Sequence, residues 1–258
     1  MPAAGTRQAG AVSTTHDPAL RADARRNRDQ ILVAATHAFA VSGPDVPMEA
    51  AALVSCGVGT GFGTATQAGA VEPGETVIVM GVGGIGINAV QGAAFAGASH
   101  VIAVDPVPFK QEKAREFGAT HAVGDIAEAT DLARSLTNGQ GADKALVTVG
   151  VTTGEHVAQA LNAVRKAGVV VVTGLGPVSA VGLPISSMDF TLFGKEIKGA
   201  LFGDQNPTTD IPRMIRLWQE GHLKLDGLVT HRYSLDEINT GYEDMHAGKN
   251  IRGVLVFE

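Results

Sequence analysis

Hydrophobic positions along the chain fall into short unbroken runs separated by amphipathic stretches. Thr76 to Met80 is a β-branched run, Ile85 to Ala96 is helical in pattern, His100 to Val104 is apolar again, and Phe109 to Phe117 is a charged amphipathic helix. The cycle continues through Ala145 to Val149, Glu155 to Lys166 and Val169 to Thr173. Apolar runs that do not alternate with polar residues are strands covered on both faces, and helices of about ten to fifteen residues between them predict a parallel sheet. The expected fold class is therefore α/β, doubly wound. Before this cycle, Met48 to about Ala68 reads as one small-residue helix containing Cys56, and Ala22 to Val41 as an amphipathic helix with Ile31, Ala35 and Phe39 on one face, closed by Ser42-Gly43-Pro44. After it, Asp210 to Gly221 and Leu235 to Ala247 read as surface helices and Arg252 to Phe257 as a closing strand. The first twenty residues lack periodicity and are expected to be disordered.

Composition narrows the classes further. A chain of 258 residues can bury a core without a staple, and its single cysteine permits neither an internal disulfide nor a cysteine-rich zinc site. The net charge of −6 argues against nucleic-acid binding by the whole chain, although residues 1 to 30 carry a local +2. No apolar run approaches the roughly 18 to 20 residues of a membrane span. The opening residues lack a charged head followed by an apolar block, so a soluble cytoplasmic protein is expected.

The sharpest chemical signal is Gly81-Val82-Gly83-Gly84-Ile85-Gly86, a G-x-G-x-x-G run that follows a predicted strand, opens a predicted helix and precedes Asp105 at the end of the next strand. Gly81 permits the tight turn, Gly83 lets backbone approach a pyrophosphate, and Gly86 lets helix and strand pack closely. The helix start offers N–H groups and a positive dipole end to phosphates. Asp105 accepts hydrogen bonds from a ribose diol and repels a 2′-phosphate, which selects NAD over NADP. Lys110 is either a cation beside the adenosine ribose or a solvated lysine on its helix.

From about Pro47 to Glu258 the sequence resembles the zinc-dependent medium-chain alcohol dehydrogenases, on SCGVGTGFGTA (55 to 65), VIVMGVGGIGINAVQGAAFAGASHVIAVD (77 to 105), GKEIKGALFGD (194 to 204) and NIRGVLVFE (250 to 258). Within that family it is most similar to nicotinoprotein-type and mycothiol-dependent formaldehyde dehydrogenases. The resemblance implies a Rossmann domain over 48–202 and a C-terminal part of a catalytic domain over 203–258. It puts Thr60 near the nicotinamide, Lys110 with Asp105 at the adenosine ribose, Val149, Thr173, Leu201 and Phe202 around the nicotinamide, and Arg252 on the pyrophosphate. It also puts Cys56 at one zinc-ligand position. The other ligands, the proton relay and a four-cysteine lobe belong to an N-terminal barrel that nothing before Pro47 resembles, so zinc is expected to be lost and Cys56, taken alone, to be a small buried residue. The eight histidines fall at no zinc-ligand position.

Residues 21 to 49 resemble the first helix of TetR-type regulators, with Arg25, Ile31, Ala35, Phe39 and Gly43 at matching spacings, but no basic recognition helix follows. Three functional classes remain. They are an NAD-dependent dehydrogenase acting on a primary alcohol or a hydroxymethyl-thiol adduct, a catalytically silent NAD-binding module, and a DNA-binding regulator, for which nucleic-acid contact is not expected. A homodimer through Val181 to Asp189 is the expected assembly.

Overall fold

The computed structural model describes residues 46–257 together with Arg26, Asp29, Gln30 and Val33. The expected disordered leader lies outside the described residues, as does the expected helix over 22–41 apart from those four positions. Six strands form one all-parallel sheet: β1 Thr76–Met80, β2 His100–Val104, β3 His121–Val123, β4 Ala142–Val147, β5 Val164–Val172 and β6 Glu196–Gly199. Their spatial order is β3-β2-β1-β4-β5-β6, so the winding reverses between β1 and β4. The doubly wound expectation is met.

Burial explains why the strands read as apolar runs. Every residue of β1 is buried, and Ile78, Ile102, Ala145, Leu146, Val147, Val170 and Val171 have no exposed surface at all. The covering helices are α3 Gly86–Phe95, α4 Pro108–Glu116, α5 Ile126–Leu136 and α6 Gly154–Ala163, preceded in the chain by α1 Met48–Leu53 and α2 Gly57–Gly63. α5 was not read from the sequence. Its N-cap is Asp125, whose carboxylate accepts the Ala127 and Glu128 N–H groups at 2.9 Å each.

Two expected helices are corrected. The stretch from Met48 to Ala68 is not continuous: the chain breaks at Cys56 (φ −144°, ψ −76°), resumes as α2 and ends in a π-helical turn, Thr64–Ala68. α2 carries glycine at 57, 59, 61 and 63, and this allows backbone-distance packing. A Cβ on Gly61 would overlap the Ile85 carbonyl, and one on Gly63 would sit 2.5 Å from the Gly203 carbonyl. Cys56 is exposed rather than buried. The helix expected to reach Lys166 stops at Ala163, because Val164 turns extended (φ −85°, ψ 149°) and pairs with Ala142.

Beyond the sheet lie α7 Ser187–Leu192, a 3₁₀ turn Leu201–Asp204, α8 Pro207–Gln219, β7 Val229–Tyr233, a 3₁₀ turn Leu235–Glu237, α9 Ile238–His246 and β8 Arg252–Leu255. α8 is not simply a surface helix, since Met214 and Ile215 join Val54, Val58, Phe62, Leu223 and Leu228 in a buried cluster. β8 forms as expected, but among the described residues its partner is β7 alone, in a parallel two-stranded sheet. Val181 to Ser186 form no strand. No helix among the described residues is long and apolar enough to cross a membrane.

Candidate dinucleotide site

β1 ends at Met80, and Gly81 takes a left-handed φ of +88° as the chain leaves the sheet. A Cβ there would lie 2.9 Å from the Val149 backbone, and a Cβ on Gly86, the first residue of α3, would overlap the Gly81 carbonyl. Gly83 differs from both. A Cβ on it would meet nothing within 4 Å, so its face of the turn is open. No side chain caps α3. The Ile87 and Asn88 N–H groups donate to the Gly83 and Ile85 carbonyls at 2.9 and 3.0 Å, and the positive end of the helix dipole still favours an anion at this start.

Asp105 follows β2 and is 6 % exposed. One carboxylate oxygen accepts the Val82 N–H at 3.1 Å and the other the Val107 N–H at 3.0 Å, while the Gln111 amide donates to the Asp105 carbonyl at 2.8 Å. The acid and the glycine-rich turn are thus one hydrogen-bonded unit, and each carboxylate oxygen keeps lone-pair capacity. The Lys110 ammonium lies beside Gly248 and forms no ion pair with Asp105 among the described residues.

Arg252 comes from β8, far along the chain. Its guanidinium lies against Gly57 and Gly84, where any side chain would displace it, and donates to the Gly84 carbonyl at 3.2 Å. Among the described residues no carboxylate pairs with it. Burial pushes its pKa below that of a solvated guanidinium, and the neighbouring Cys56 offsets part of that shift. A half-buried cation that pairs with no described carboxylate carries charge that an anion would neutralise.

The other half of the crevice lies at the ends of β4, β5 and β6, where Val147, Val172 and Gly199 stand in register. The Thr148 hydroxyl reaches the Gly81 carbonyl at 2.7 Å. Thr60 and Thr64 are buried in α2 and the π-helical turn, and Thr64 joins Thr173 at 2.8 Å. Phe202 adopts φ +54° and turns its ring toward Gly59. Thr60 and Thr173 are thus linked through Thr64, Phe202 lies against Gly59 and Val149 against Gly81, whereas Leu201 is 84 % exposed. Thr148, Thr64 and Gln111 were missed from the sequence. A polar residue at the end of an apolar strand beside the reversal point was the signal available for Thr148.

Cys56 stands alone as a metal donor. Among the described residues no three His, Cys, Asp or Glu side chains cluster, and a catalytic zinc needs three protein ligands. His100 and His121 meet edge to face at the opposite end of the sheet from the crevice, and His222 packs on Phe95.

A family model described as zinc-binding dehydrogenase matches residues 84–220. The NDMA-dependent alcohol dehydrogenase of Amycolatopsis methanolica is 55% identical over 211 residues, which cover 82% of this chain and 57% of that protein. A putative alcohol dehydrogenase D of Mycobacterium tuberculosis is 51% identical over the same shares. The chain thus spans little more than half the length of these curated relatives. Among solved structures, benzyl alcohol dehydrogenase from Acinetobacter calcoaceticus superimposes with a TM-score of 0.77 at 30% identity, over 84% of this chain and 59% of its own.

Proposed function

Because the chain belongs to the family of zinc-binding dehydrogenases, we propose that it holds NAD for an oxidoreductase that moves a hydride between the dinucleotide and a primary alcohol or hydroxymethyl-thiol adduct. The observation that carries this is the convergence of the Gly81–Gly86 turn, Asp105 and the uncompensated Arg252 guanidinium at the C-terminal ends of the central strands. The pyrophosphate would rest on the N–H groups at the start of α3, with Arg252 across from it. Asp105 would accept the ribose diol and exclude a 2′-phosphate, with Lys110 at the rim. Thr60, Val149, Thr173, Leu201 and Phe202 would wall the nicotinamide. Bound NAD supplies the hydride acceptor at the nicotinamide ring. Residues 48–202 would form the cofactor domain, and 203–258 would bring Arg252 to it as part of a catalytic domain.

Zinc does not fit the described residues, since Cys56 offers one ligand where three are needed. No step is therefore assigned to the metal. The same observation favours a second reading, an NAD-binding module without turnover. Family membership also supports a cytoplasmic protein that acts as a homodimer on alcohols or aldehydes. The test is NADH formation from ethanol, benzyl alcohol and a formaldehyde–thiol adduct, with and without added zinc, and with NDMA as acceptor because the Amycolatopsis relative depends on it. Turnover supports the enzyme. Rates equal to buffer in a protein that binds NAD support the silent module, and absence of NAD binding overturns both.

A further inference from the structure

Two adjoining clefts open on the small sheet and α9. One is lined by Tyr242, Met245 and Leu255, the other by Leu235 and Phe257, and Tyr233 borders both. Leu235, Tyr242, Met245 and Phe257 are each more than half exposed. Apolar side chains gathered about clefts on a two-stranded sheet call for a cover. The stretch Leu235 to Ala247 holds Asp236, Glu237, Glu243 and Asp244 and no Lys or Arg, so the cover it favours is basic as well as apolar.

The chain itself carries such a segment. From Ala22 to Val41 the sequence spaces Ile31, Ala35 and Phe39 four apart, and Arg21, Arg25, Arg26 and Arg28 outnumber Asp23 and Asp29 at its start. Arg26, Asp29, Gln30 and Val33 are helical and exposed. At about 100° per residue these four share one face, opposite Ile31, Ala35 and Phe39. The chain that follows runs beside the clefts. Val46 shares a buried cluster with Ile251, the residue before β8, and the Glu49 carboxylate accepts two Arg232 N–H groups from β7 at 2.8 and 2.7 Å. Only Ser42 to Asp45 lie between, which keeps Val41 within roughly 17 Å of Val46. So short a tether gives the segment an effective concentration of about millimolar, which favours it over a second copy.

We propose that residues 22–41 dock on this face as an amphipathic helix, seating Ile31, Ala35 and Phe39 against Tyr242, Met245 and Phe257 with the arginines toward Asp236 and Glu243. Helix-in-groove recognition uses such evenly spaced apolar anchors. The docking is intramolecular and independent of the dinucleotide reading.

The experiment is amide hydrogen exchange on the full chain and on Ile31→Asp with Phe39→Asp, each at several chain concentrations and each checked by thermal unfolding. In the unmodified chain the amides of α9 and β8 should be protected at every concentration. In the variant they should exchange at least about tenfold faster while those of β1 and β2 do not change, which separates an uncovered face from a general loss of stability. Should that variant fail to unfold cooperatively, the surface change Arg25→Glu with Arg28→Glu serves in its place. Exchange of α9 and β8 unaltered by the substitutions overturns the proposal. So does protection that rises with chain concentration, which would seat a second copy on the face, and so does free exchange in the unmodified chain, which would leave the face open to another polypeptide.

Discussion

Gly86 and Asp105 do different work in the same turn. A methyl group on Gly86 would enter the Gly81 carbonyl and approach Thr148, so Gly86→Ala should cost about 1–3 kcal/mol of stability, as overpacking does, and weaken NAD binding with it. Thermal unfolding and calorimetry read both effects, and an unchanged melting temperature would contradict the packing. Arg252→Met should behave in the opposite sense. It removes a desolvated cation that no described carboxylate pairs with, so stability should change little while NAD affinity falls at least about tenfold and loses part of its salt dependence. Equal affinity in the variant would remove Arg252 from the pyrophosphate. The glycines and Asp105 were legible in the sequence because the motif encodes backbone shape over a short span. The hydrogen bonds of Thr148 and Thr64 were not, since each is set by a contact with a residue on another element.

Elements were legible in proportion to how fully they are buried. β1 and β2 were read with their observed bounds because burial leaves them almost wholly apolar. β3 has three residues, two of them only half-buried, and β6 is largely exposed with one apolar residue, so neither has a pattern to read. The small two-stranded sheet depends on side-chain bonds instead. Asp244 accepts from the Lys249 ammonium at 2.9 Å and the Tyr233 hydroxyl at 3.0 Å, tying α9 to β7 and to the loop before β8. Lys249, and then Tyr233, hold the Asp244 carboxyl below its ordinary pKa. A carboxyl whose folded pKa lies below its unfolded value stabilises the fold at neutral pH, and that contribution is lost as pH falls through the acidic carboxylate range. The melting temperature of Asp244→Asn should accordingly lie below that of the unmodified chain near pH 7, with the gap closing toward pH 3. A gap independent of pH would contradict the carboxylate's role.

At the scale of the molecule, the segment that leads into the edge strand β6 carries several exposed apolar side chains. Val178, Val181, Met188 and Leu192 are all at least two-thirds exposed, and among the described residues β6 has a strand neighbour on one side only. Such an edge invites pairing with another copy. Sedimentation should show a dimer that Val181→Asp with Met188→Asp converts to monomer, and a monomeric unmodified chain would contradict this. The overall winding was legible because a strand–helix alternation admits few arrangements, whereas the pairing of β7 with β8 and the arrival of Arg252 at Gly84 are tertiary facts with no local signature.

In the proposed site the acid and the glycine-rich turn would act together on one dinucleotide. Calorimetric titration of NAD and NADP into the full chain and into Asp105→Ala tests it most directly. The prediction is one NAD per chain, markedly weaker NADP, and loss of that preference in the variant. Equal binding of NAD and NADP by the unmodified chain, or NAD binding untouched by Asp105→Ala, would contradict it.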